Sequence, residues 1–124
     1  WRPCCPSMLD TVAPQMLQSH HPAPFMTITF EVAPEWRQRV PEVVHEDGTA
    51  RAQVLRREQH PRYYDLMREL EKLTGNGVVL NTSLNRRGEP MVCSPSDALD
   101  MFFGSDLQYL VMEDILVTKE GVPQ

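Results

Sequence analysis

The chain has 124 residues, of which 41% are hydrophobic and 23% are charged, and this length favours one hydrophobic core over two full domains. Seventeen acidic against 12 basic side chains give a formal net charge of -5, which argues against a nucleic-acid partner because phosphate contacts need a basic surface. No apolar run approaches the about 20 residues of a membrane helix, so no membrane partner is expected.

The first third of the chain is predicted to contain a helix followed by a strand. Residues 2–6 should be extended because two prolines restrict their neighbours. A loose apolar stripe predicts a short helix over residues 7–18, with Ser7 as its N-cap and a kink at Pro14. After a loop, residues 25–32 alternate and carry β-branched and aromatic side chains, which predicts a strand.

The middle of the chain carries the clearest predicted element, a helix over residues 61–74. Its apolar side chains follow the i, i+3, i+4, i+7 pattern, with Pro61 at the first helical position and a glycine directly after the last. Before this helix, residues 34–39 predict a single helical turn. Short strands are predicted over residues 43–45 and 50–55, on either side of a turn.

The last third alternates strands with a helix. Residues 78–80 form a short continuous apolar run, as expected for a strand buried on both faces. Ser94 and Pro95 have the residue types of an N-cap and a first helical position. Residues 107–111 and 115–117 predict two final strands. Because strands and helices alternate along the chain, the predicted class is α/β or α+β.

Residues 81–90 are the first candidate site because they follow a buried strand, and ligands of open α/β sheets bind beyond the carboxyl ends of strands. Their hydroxyl, amide and backbone N–H groups can form an anion-binding nest, while Arg86 and Arg87 match phosphate or carboxylate groups. The small or amide-bearing residues of this nest are Asn81, Thr82, Ser83, Asn85 and Gly88. The alternative, slightly favoured by composition alone, is a capping turn with two solvated arginines.

The second candidate site runs from His45 to Gln53. Arg51 opens a predicted strand and shares a face with Gln53, so it can hold an anion, with Thr49 as an auxiliary donor. A metal site at residues 45–47 matches no known ligand spacing, and a structural histidine beside a turn is the alternative.

Other candidates carry less information. Arg2 precedes a proline, which aims its side chain, but without other context a solvated terminal arginine is the favoured explanation. His20 and its neighbour His21 suit a loop better than a metal site. A triad of a serine, a histidine and an aspartate lacks a nucleophile-elbow pattern. The three cysteines show no C-x-x-C arrangement and no complete disulfide framework, so we expect reduced thiols in a cytoplasmic protein.

Three segments together resemble one known family. They are WRPCCPSML, PEWRQRVPEVVHEDGTARAQVL and GVVLNTSLNRRGEPMVCSPSDAL, which occur in this order and cover nearly the whole chain. They are similar to the C-terminal domain of the O-carbamoyltransferases, which act on nodulation factors and on antibiotics. By this resemblance, residues 1–124 are expected to be a fragment of a longer protein that lacks its N-terminal Kae1-like domain.

The resemblance implies a fold and a reaction. The C-terminal domain is similar to the YrdC fold, a twisted mixed sheet flanked by helices, and we expect it to be truncated at its N-terminus. Such an incomplete sheet edge would invite pairing with a second copy as a homodimer. The implied activity is binding of ATP and carbamoyl phosphate to form carbamoyl-adenylate, while the N-terminal domain, with its own metal, passes the carbamoyl group to a sugar hydroxyl.

The resemblance also implies roles for individual residues. Arg2 and Arg51 are implied as the catalytic arginines beside carbamoyl phosphate, which they also bind. The further implied substrate-binding residues, for carbamoyl phosphate or ATP, are Ser7, Thr49, Asn81, Thr82, Ser83, Asn85 and Arg87. No metal-ligating residue is implied in this chain, since Mg²⁺ is expected to be held by ATP phosphates and water. Two departures from the family pattern, Cys4-Cys5 for Phe-Ala and Leu84 for Phe, suggest packing changes.

Two functions therefore stay open at this level. The first is the adenylating part of an O-carbamoyltransferase, which would explain the absence of an obvious nucleophile or base because adenylation depends on charge neutralisation and positioning. The second is a non-catalytic nucleotide-binding or docking module of a larger protein. The joint presence of Arg51, Ser83, Asn85 and Arg87 favours the first.

Overall fold

The computed structural model describes residues 4–19 and 21–119 and divides the chain into two compact units, Trp1–Thr82 and Ser83–Gln124. The described residues form a hydrophobic cluster in each unit, whereas the chain length alone favours a single core. Arg2 and His20, two residues that the sequence analysis considered, lie outside the described residues.

A three-stranded sheet with the order β4-β1-β5 organises the first unit. The central strand β1 (Cys5–Leu9) pairs in parallel with β4 (Gln53–Leu55) and antiparallel with β5 (Val78–Asn81). Ser7 is paired with Gln53 on one side of β1. All five residues of β1 are buried, as expected for a central strand that is covered on both faces.

Shorter elements complete the first unit. They are helix α1 (Ala13–Met16), strand β2 (Phe30–Glu31), helix α2 (Pro34–Arg39), a 3₁₀ helix (Pro41–Val43) and strand β3 (Thr49–Ala50). Strands β2 and β3 pair antiparallel with each other. Buried side chains from these elements and from the sheet form one cluster, whose largest members include Met8, Leu9, Met16, Val32, Trp36 and Met67.

Helix α3 (Pro61–Thr74) is the longest helix of the first unit. The ring of His60 caps it by accepting a backbone N–H of the first turn, and Gly75 ends it in the left-handed conformation with φ 72°. Met67 is buried against the sheet, but Leu73 is 85% exposed. The helix is therefore anchored by part of its predicted apolar face.

The second unit contains helix α4 (Pro95–Phe103) and a hairpin of β6 (Tyr109–Met112) and β7 (Ile115–Thr118). Ser94 caps α4 by accepting a backbone N–H through its hydroxyl oxygen. The fully buried ring of Phe102 is the centre of a small cluster between α4 and the hairpin.

The helix predicted over residues 7–18 is wrong for most of its length. Strand β1 occupies its first part, and the α1 helix has only four residues. Pro14 lies in the first turn of α1, where its missing N–H costs no hydrogen bond, so it begins a helix instead of kinking one. A strand buried on both faces does not alternate, and local periodicity cannot distinguish it from a helix.

The strand predicted over residues 25–32 is also wrong except at its end, since only β2 pairs with another strand. The side chain of Phe25 is 70% exposed, and its carbonyl accepts a bond from the N–H of Thr27. This local hydrogen bond belongs to a turn, and residues 25–29 pair with no strand in the described part of the chain. The strand predicted over residues 43–45 is wrong as well, because a 3₁₀ helix precedes an irregular segment at these positions.

Two further strand predictions need correction. Residues 50–55 do not form one strand: they contain the end of β3 and all of β4. Strand β3 pairs with β2, β4 pairs with β1, and Arg51 and Ala52 connect the two strands without belonging to either. The run of residues 78–80 is not buried on both faces, since Leu80 is 44% exposed. Strand β5 is the last strand of its sheet, which explains this exposure.

The mixed α/β class is confirmed, because the first sheet combines parallel and antiparallel pairs and helices lie between the strands. The helices predicted over residues 34–39 and 61–74, and the helix that begins at Pro95, are confirmed too. The hairpin strands occur within two residues of their predicted bounds. A search of the described residues finds no helix with the length and apolar character that a bilayer crossing requires.

Candidate functional site

Polar side chains from all three strands of the first sheet meet on one face beside β1. The hydroxyl of Ser7 donates to Oε1 of Gln53 over 2.8 Å. The amide nitrogen of Asn81 donates both to Ser7 Oγ, at 2.8 Å, and to Gln53 Oε1, at 3.1 Å. Ser7 is fully buried in this triangle. The register explains the meeting, because Ser7 is paired with Gln53 and Asn81 is paired with Cys5, two residues before Ser7 on the same face.

Arg51 reaches the same face from the segment between β3 and β4. Its Nη2 lies 3.0 Å from the sulfur of Cys5, and its Nη1 lies 3.3 Å from the carbonyl oxygen of Met26. These contacts aim the guanidinium at the beginning of β1. No described carboxylate pairs with Arg51 in a salt bridge, so its charge remains available to an anion.

The turn before β3 lies against the beginning of β1. Nε2 of His45 lies 3.2 Å from the carbonyl oxygen of Cys4, and its Nδ1 lies 3.1 Å from Thr49 Oγ1. The Thr49 hydroxyl donates to Asp47 over 2.7 Å. Hydrogen bonds from this hydroxyl and from the Thr49 backbone N–H hold the pKa of Asp47 below its usual value. The turn therefore links the Thr49 segment to β1.

The border between the two units falls between Thr82 and Ser83, within the first candidate segment. Thr82 is exposed at the end of the first unit. In the second unit, the Ser83 hydroxyl donates to Asn85 over 2.5 Å, and the amide nitrogen of Asn85 donates to the carbonyls of Arg86 and Glu89. The Ser-x-Asn pair thus holds its own loop in a closed turn.

The two neighbouring arginines of this loop differ. Arg86 donates over 2.7 Å to the carbonyl of Asp100 in the last turn of α4, which also accepts the backbone N–H of Gly104. Gly104 permits this approach, because a Cβ there would lie 1.9 Å from the Arg86 guanidinium. Arg87 is exposed and has no hydrogen bond or ion pair with any described residue. The structure thus gives Arg86 a structural contact and leaves Arg87 accessible.

A cavity of about 420 Å³ lies within the second unit, beside Asn85 and Arg86. The thiol of Cys93 faces this cavity and donates to Asp97 over 3.3 Å. This hydrogen bond and the negative charge of Asp97 raise the pKa of Cys93. The thiol is therefore held in its neutral form.

The structure brings four of the predicted site residues together, namely Ser7, Thr49, Arg51 and Asn81. Sequence reasoning missed Gln53, which links Ser7 to Asn81. The available signal was its position two residues after Arg51, on the same face of a predicted strand. Across the described ranges 4–19 and 21–119, no three histidine, cysteine or acidic side chains are placed to hold a metal ion.

The donor groups suit an anionic ligand. At the beginning of β1, Arg51 offers a guanidinium that forms no salt bridge with a described carboxylate, and Arg87 offers an exposed guanidinium in the second unit. Guanidinium groups match phosphate and carboxylate oxygens in a planar, bidentate manner. The arginine side chains therefore suit an anion better than a cation.

Comparison with known proteins points to one family. A family model described as "Carbamoyltransferase C-terminus" matches residues 1–119. The chain is 35% identical to nodulation protein NolO of Bradyrhizobium diazoefficiens, over 96% of this chain and 22% of that protein. It is 34% identical to nodulation protein U of Rhizobium tropici, over 100% of this chain and 21% of that protein.

A third relative is the uncharacterized protein sll1178 of Synechocystis sp., which is 35% identical over 100% of this chain and 23% of its own length. The chain thus spans about a fifth of the length of these relatives. The family model covers nearly all of it, and the relatives align along its whole length. The chain belongs to the carbamoyltransferase family and corresponds to its C-terminal part.

Proposed function

We propose that this chain carries the carbamoyl phosphate site and part of the ATP site of an O-carbamoyltransferase. The observation that carries the proposal is the meeting of Arg51, Asn81 and the Thr49 turn at the beginning of β1. A guanidinium without a carboxylate partner, beside an amide that three strands hold in place, is suited to a small anion that also carries polar groups.

The proposed reaction makes carbamoyl-adenylate. Water releases inorganic phosphate from carbamoyl phosphate, and an oxygen of the resulting carbamate displaces pyrophosphate from the α-phosphorus of ATP. Such a reaction needs neutralised charge and alignment more than a protein nucleophile. Arg51 would hold the phosphate of carbamoyl phosphate, while Mg²⁺, bound by ATP phosphates and water, would offset part of the triphosphate charge.

In the second unit, Ser83, Asn85 and Arg87 are proposed to contact ATP phosphates. The closed turn of Ser83 and Asn85 supports this role, because its hydrogen bonds preorganise the loop. The exposed guanidinium of Arg87 supports it as well. Arg2 is proposed as a further carbamoyl phosphate contact on the basis of the family resemblance.

The remaining part of the full-length protein is proposed to transfer the carbamoyl group to a sugar hydroxyl. This part would include the Kae1-like domain and its metal. Relatives named as nodulation proteins favour a nodulation factor over an antibiotic as the acceptor. We further propose that the protein acts in the cytoplasm, where carbamoyl phosphate and ATP are available, and that it forms a homodimer.

The test uses the full-length protein and the variant Arg51→Ala. Titration calorimetry with carbamoyl phosphate and with Mg·ATP measures binding, and pyrophosphate release measures adenylation. Loss of a charge-assisted contact should cost about 2–5 kcal/mol, so carbamoyl phosphate binding and pyrophosphate release should both fall below detection. Circular dichroism should remain unchanged, because Arg51 lies at the edge of the core.

The matched control is Arg56→Ala, which removes an exposed arginine of the same unit away from the polar triangle. It should leave binding and pyrophosphate release unchanged. Wild-type turnover in Arg51→Ala would refute the site assignment. A wild-type protein that binds Mg·ATP but neither binds carbamoyl phosphate nor releases pyrophosphate would favour the nucleotide-binding module.

A further inference from the structure

We infer that Asn81 recognises the amino group of the carbamoyl moiety through its side-chain oxygen, and so selects carbamoyl phosphate over other acyl phosphates. The inference rests on the proposed function, and it starts from a geometric fact. The amide nitrogen of Asn81 faces Ser7 Oγ at 2.8 Å and Gln53 Oε1 at 3.1 Å, and these two oxygens are themselves 2.8 Å apart, so they share one N–H group of the amide. The acceptor of the side chain, Oδ1, is left to a ligand.

The orientation of this amide is fixed by its neighbours. The amide nitrogen of Gln53 faces the carbonyl oxygen of Pro24 at 3.4 Å, and a carbonyl can only accept. Gln53 must therefore direct its oxygen towards Ser7 and Asn81. Asn81 must in turn present its nitrogen to that oxygen, because two facing acceptors would repel each other. Its own oxygen is left pointing away from the triangle.

Oδ1 of Asn81 is open to a ligand. No described residue donates a hydrogen bond to it. No buried side-chain oxygen or nitrogen among the described residues lacks a partner, so this unbonded oxygen lies where solvent reaches it. A free acceptor repels phosphate oxygens but attracts an N–H group. Oδ1 of Asn81 is thus suited to the amino end of the ligand.

The spacing suits a ligand with a phosphate at one end and an amide at the other. Cys5 lies between the two groups: its sulfur contacts Arg51, and its backbone is paired with Asn81 across β1 and β5. Paired residues of neighbouring strands lie about 4.5–5.5 Å apart. A phosphate held by Arg51 would place an attached carbamoyl group towards Asn81. Among small acyl phosphates, carbamoyl phosphate has an N–H donor there, whereas acetyl phosphate has a methyl group.

The test compares these two ligands on the full-length protein by calorimetric titration. Wild type should bind carbamoyl phosphate about tenfold or more tightly than acetyl phosphate, the expected effect of one well-placed hydrogen bond. Asn81→Leu, which has a similar size and no acceptor, should weaken carbamoyl phosphate alone and bring the ratio close to one. Asn76→Leu, a matched asparagine of the same unit outside the triangle, should leave the ratio unchanged.

A second variant covers the case in which Asn81→Leu does not fold. Gln53→Met releases the Asn81 amide to rotate, so it should lower the ratio while inorganic phosphate still competes for binding. Equal wild-type affinity for both ligands, or an unchanged ratio in Asn81→Leu, would overturn the inference. Arg51→Ala should weaken both ligands equally. Absence of any carbamoyl phosphate binding to wild type would instead overturn the proposed function.

Discussion

At the scale of single residues, Cys5 departs from the family pattern, and the structure shows what this cysteine contacts. The change from Ala to Cys at this position looks like packing from the sequence. In the structure, the Cys5 sulfur accepts a hydrogen bond from the Arg51 guanidinium. The cysteine therefore affects Arg51, a residue of the candidate site, because a thiol can accept a hydrogen bond from a guanidinium and the methyl group of alanine cannot.

The turn before Arg51 requires a glycine at position 48. Its φ is 82°, and a Cβ at this position would lie 2.6 Å from the guanidinium of Arg37. That guanidinium is held in place by a hydrogen bond from Nε to the carbonyl of Val32. The turn thus depends both on a left-handed residue and on the absence of a side chain.

We predict that Gly48→Ala lowers the free energy of unfolding by about 1–3 kcal/mol. Urea denaturation measures the change. Gly75→Ala is the matched control, because its φ is 72° and nothing lies within 4 Å of the added Cβ. It should cost about 1 kcal/mol from the left-handed conformation alone. If the two variants cost the same, the contact with Arg37 contributes nothing.

At the scale of elements, the beginning of helix α4 combines two stabilising features. Ser94 Oγ accepts the N–H of Asp97, and the Asp97 carboxylate accepts both the N–H and the thiol of Cys93. A negative charge at the N-terminus of a helix also interacts favourably with the helix dipole. Sequence alone predicted this cap, because serine, proline and aspartate occur in the favoured order.

We predict that Ser94→Ala destabilises the second unit by about 1 kcal/mol, the usual value for a lost N-cap. Hydrogen exchange of the α4 amides measures the effect. Ser96→Ala changes an exposed serine two positions later and should have little effect. Equal exchange rates in both variants would show that the cap does not stabilise this helix.

The stability of α4 should depend on pH through Asp97. Hydrogen bonds from Ser94, then from Cys93, hold the pKa of Asp97 below its usual value of 3.8. A lowered pKa in the folded state contributes stability above the unfolded pKa, and this contribution is lost as the pH falls through the folded pKa. We predict that Asp97→Asn loses stability at pH 6 and that its difference from wild type in chemical denaturation shrinks as the pH falls below 3.8. Asp106→Asn controls for net charge; a difference that stays constant as the pH falls would contradict the prediction.

At the scale of the whole molecule, the two units have cores of different size. The first unit buries side chains from its sheet and from its helices in one large cluster. Among the described residues of the second unit, three apolar side chains are buried, with Phe102 at the centre. Small cores provide little stability, so the second unit should open more readily.

We predict that the amides of α4 and β6 exchange with solvent faster than those of β1 in the full chain. Phe102→Ala should remove about 3–5 kcal/mol by leaving a cavity, and should speed exchange in the second unit. Met8→Ala makes a cavity in the first unit and should speed exchange there instead. Hydrogen exchange followed by mass spectrometry resolves both. Uniform acceleration of both units in either variant would mean that they unfold together.

The sequence by itself determined helices α2, α3 and α4, the hairpin and the family. Helix α3 has amphipathic periodicity with a proline and a glycine at its ends, and α4 has a complete cap, so local interactions alone specify both. The motifs around Arg51 and Asn81 identified the carbamoyltransferase family without any structure. These features are local, because each depends on residues that are neighbours along the chain.

Only the tertiary structure decided where β1 lies and which polar side chains it brings together. Cys5–Leu9 is a strand because β4 and β5 pair with both of its edges, and those partners follow more than 40 residues later in the chain. The same pairing creates the triangle of Ser7, Gln53 and Asn81, and it turns the amide nitrogen of Asn81 towards Ser7 and Gln53. Long-range pairing of this kind has no local signal, because burial on both faces removes the alternation that marks a strand.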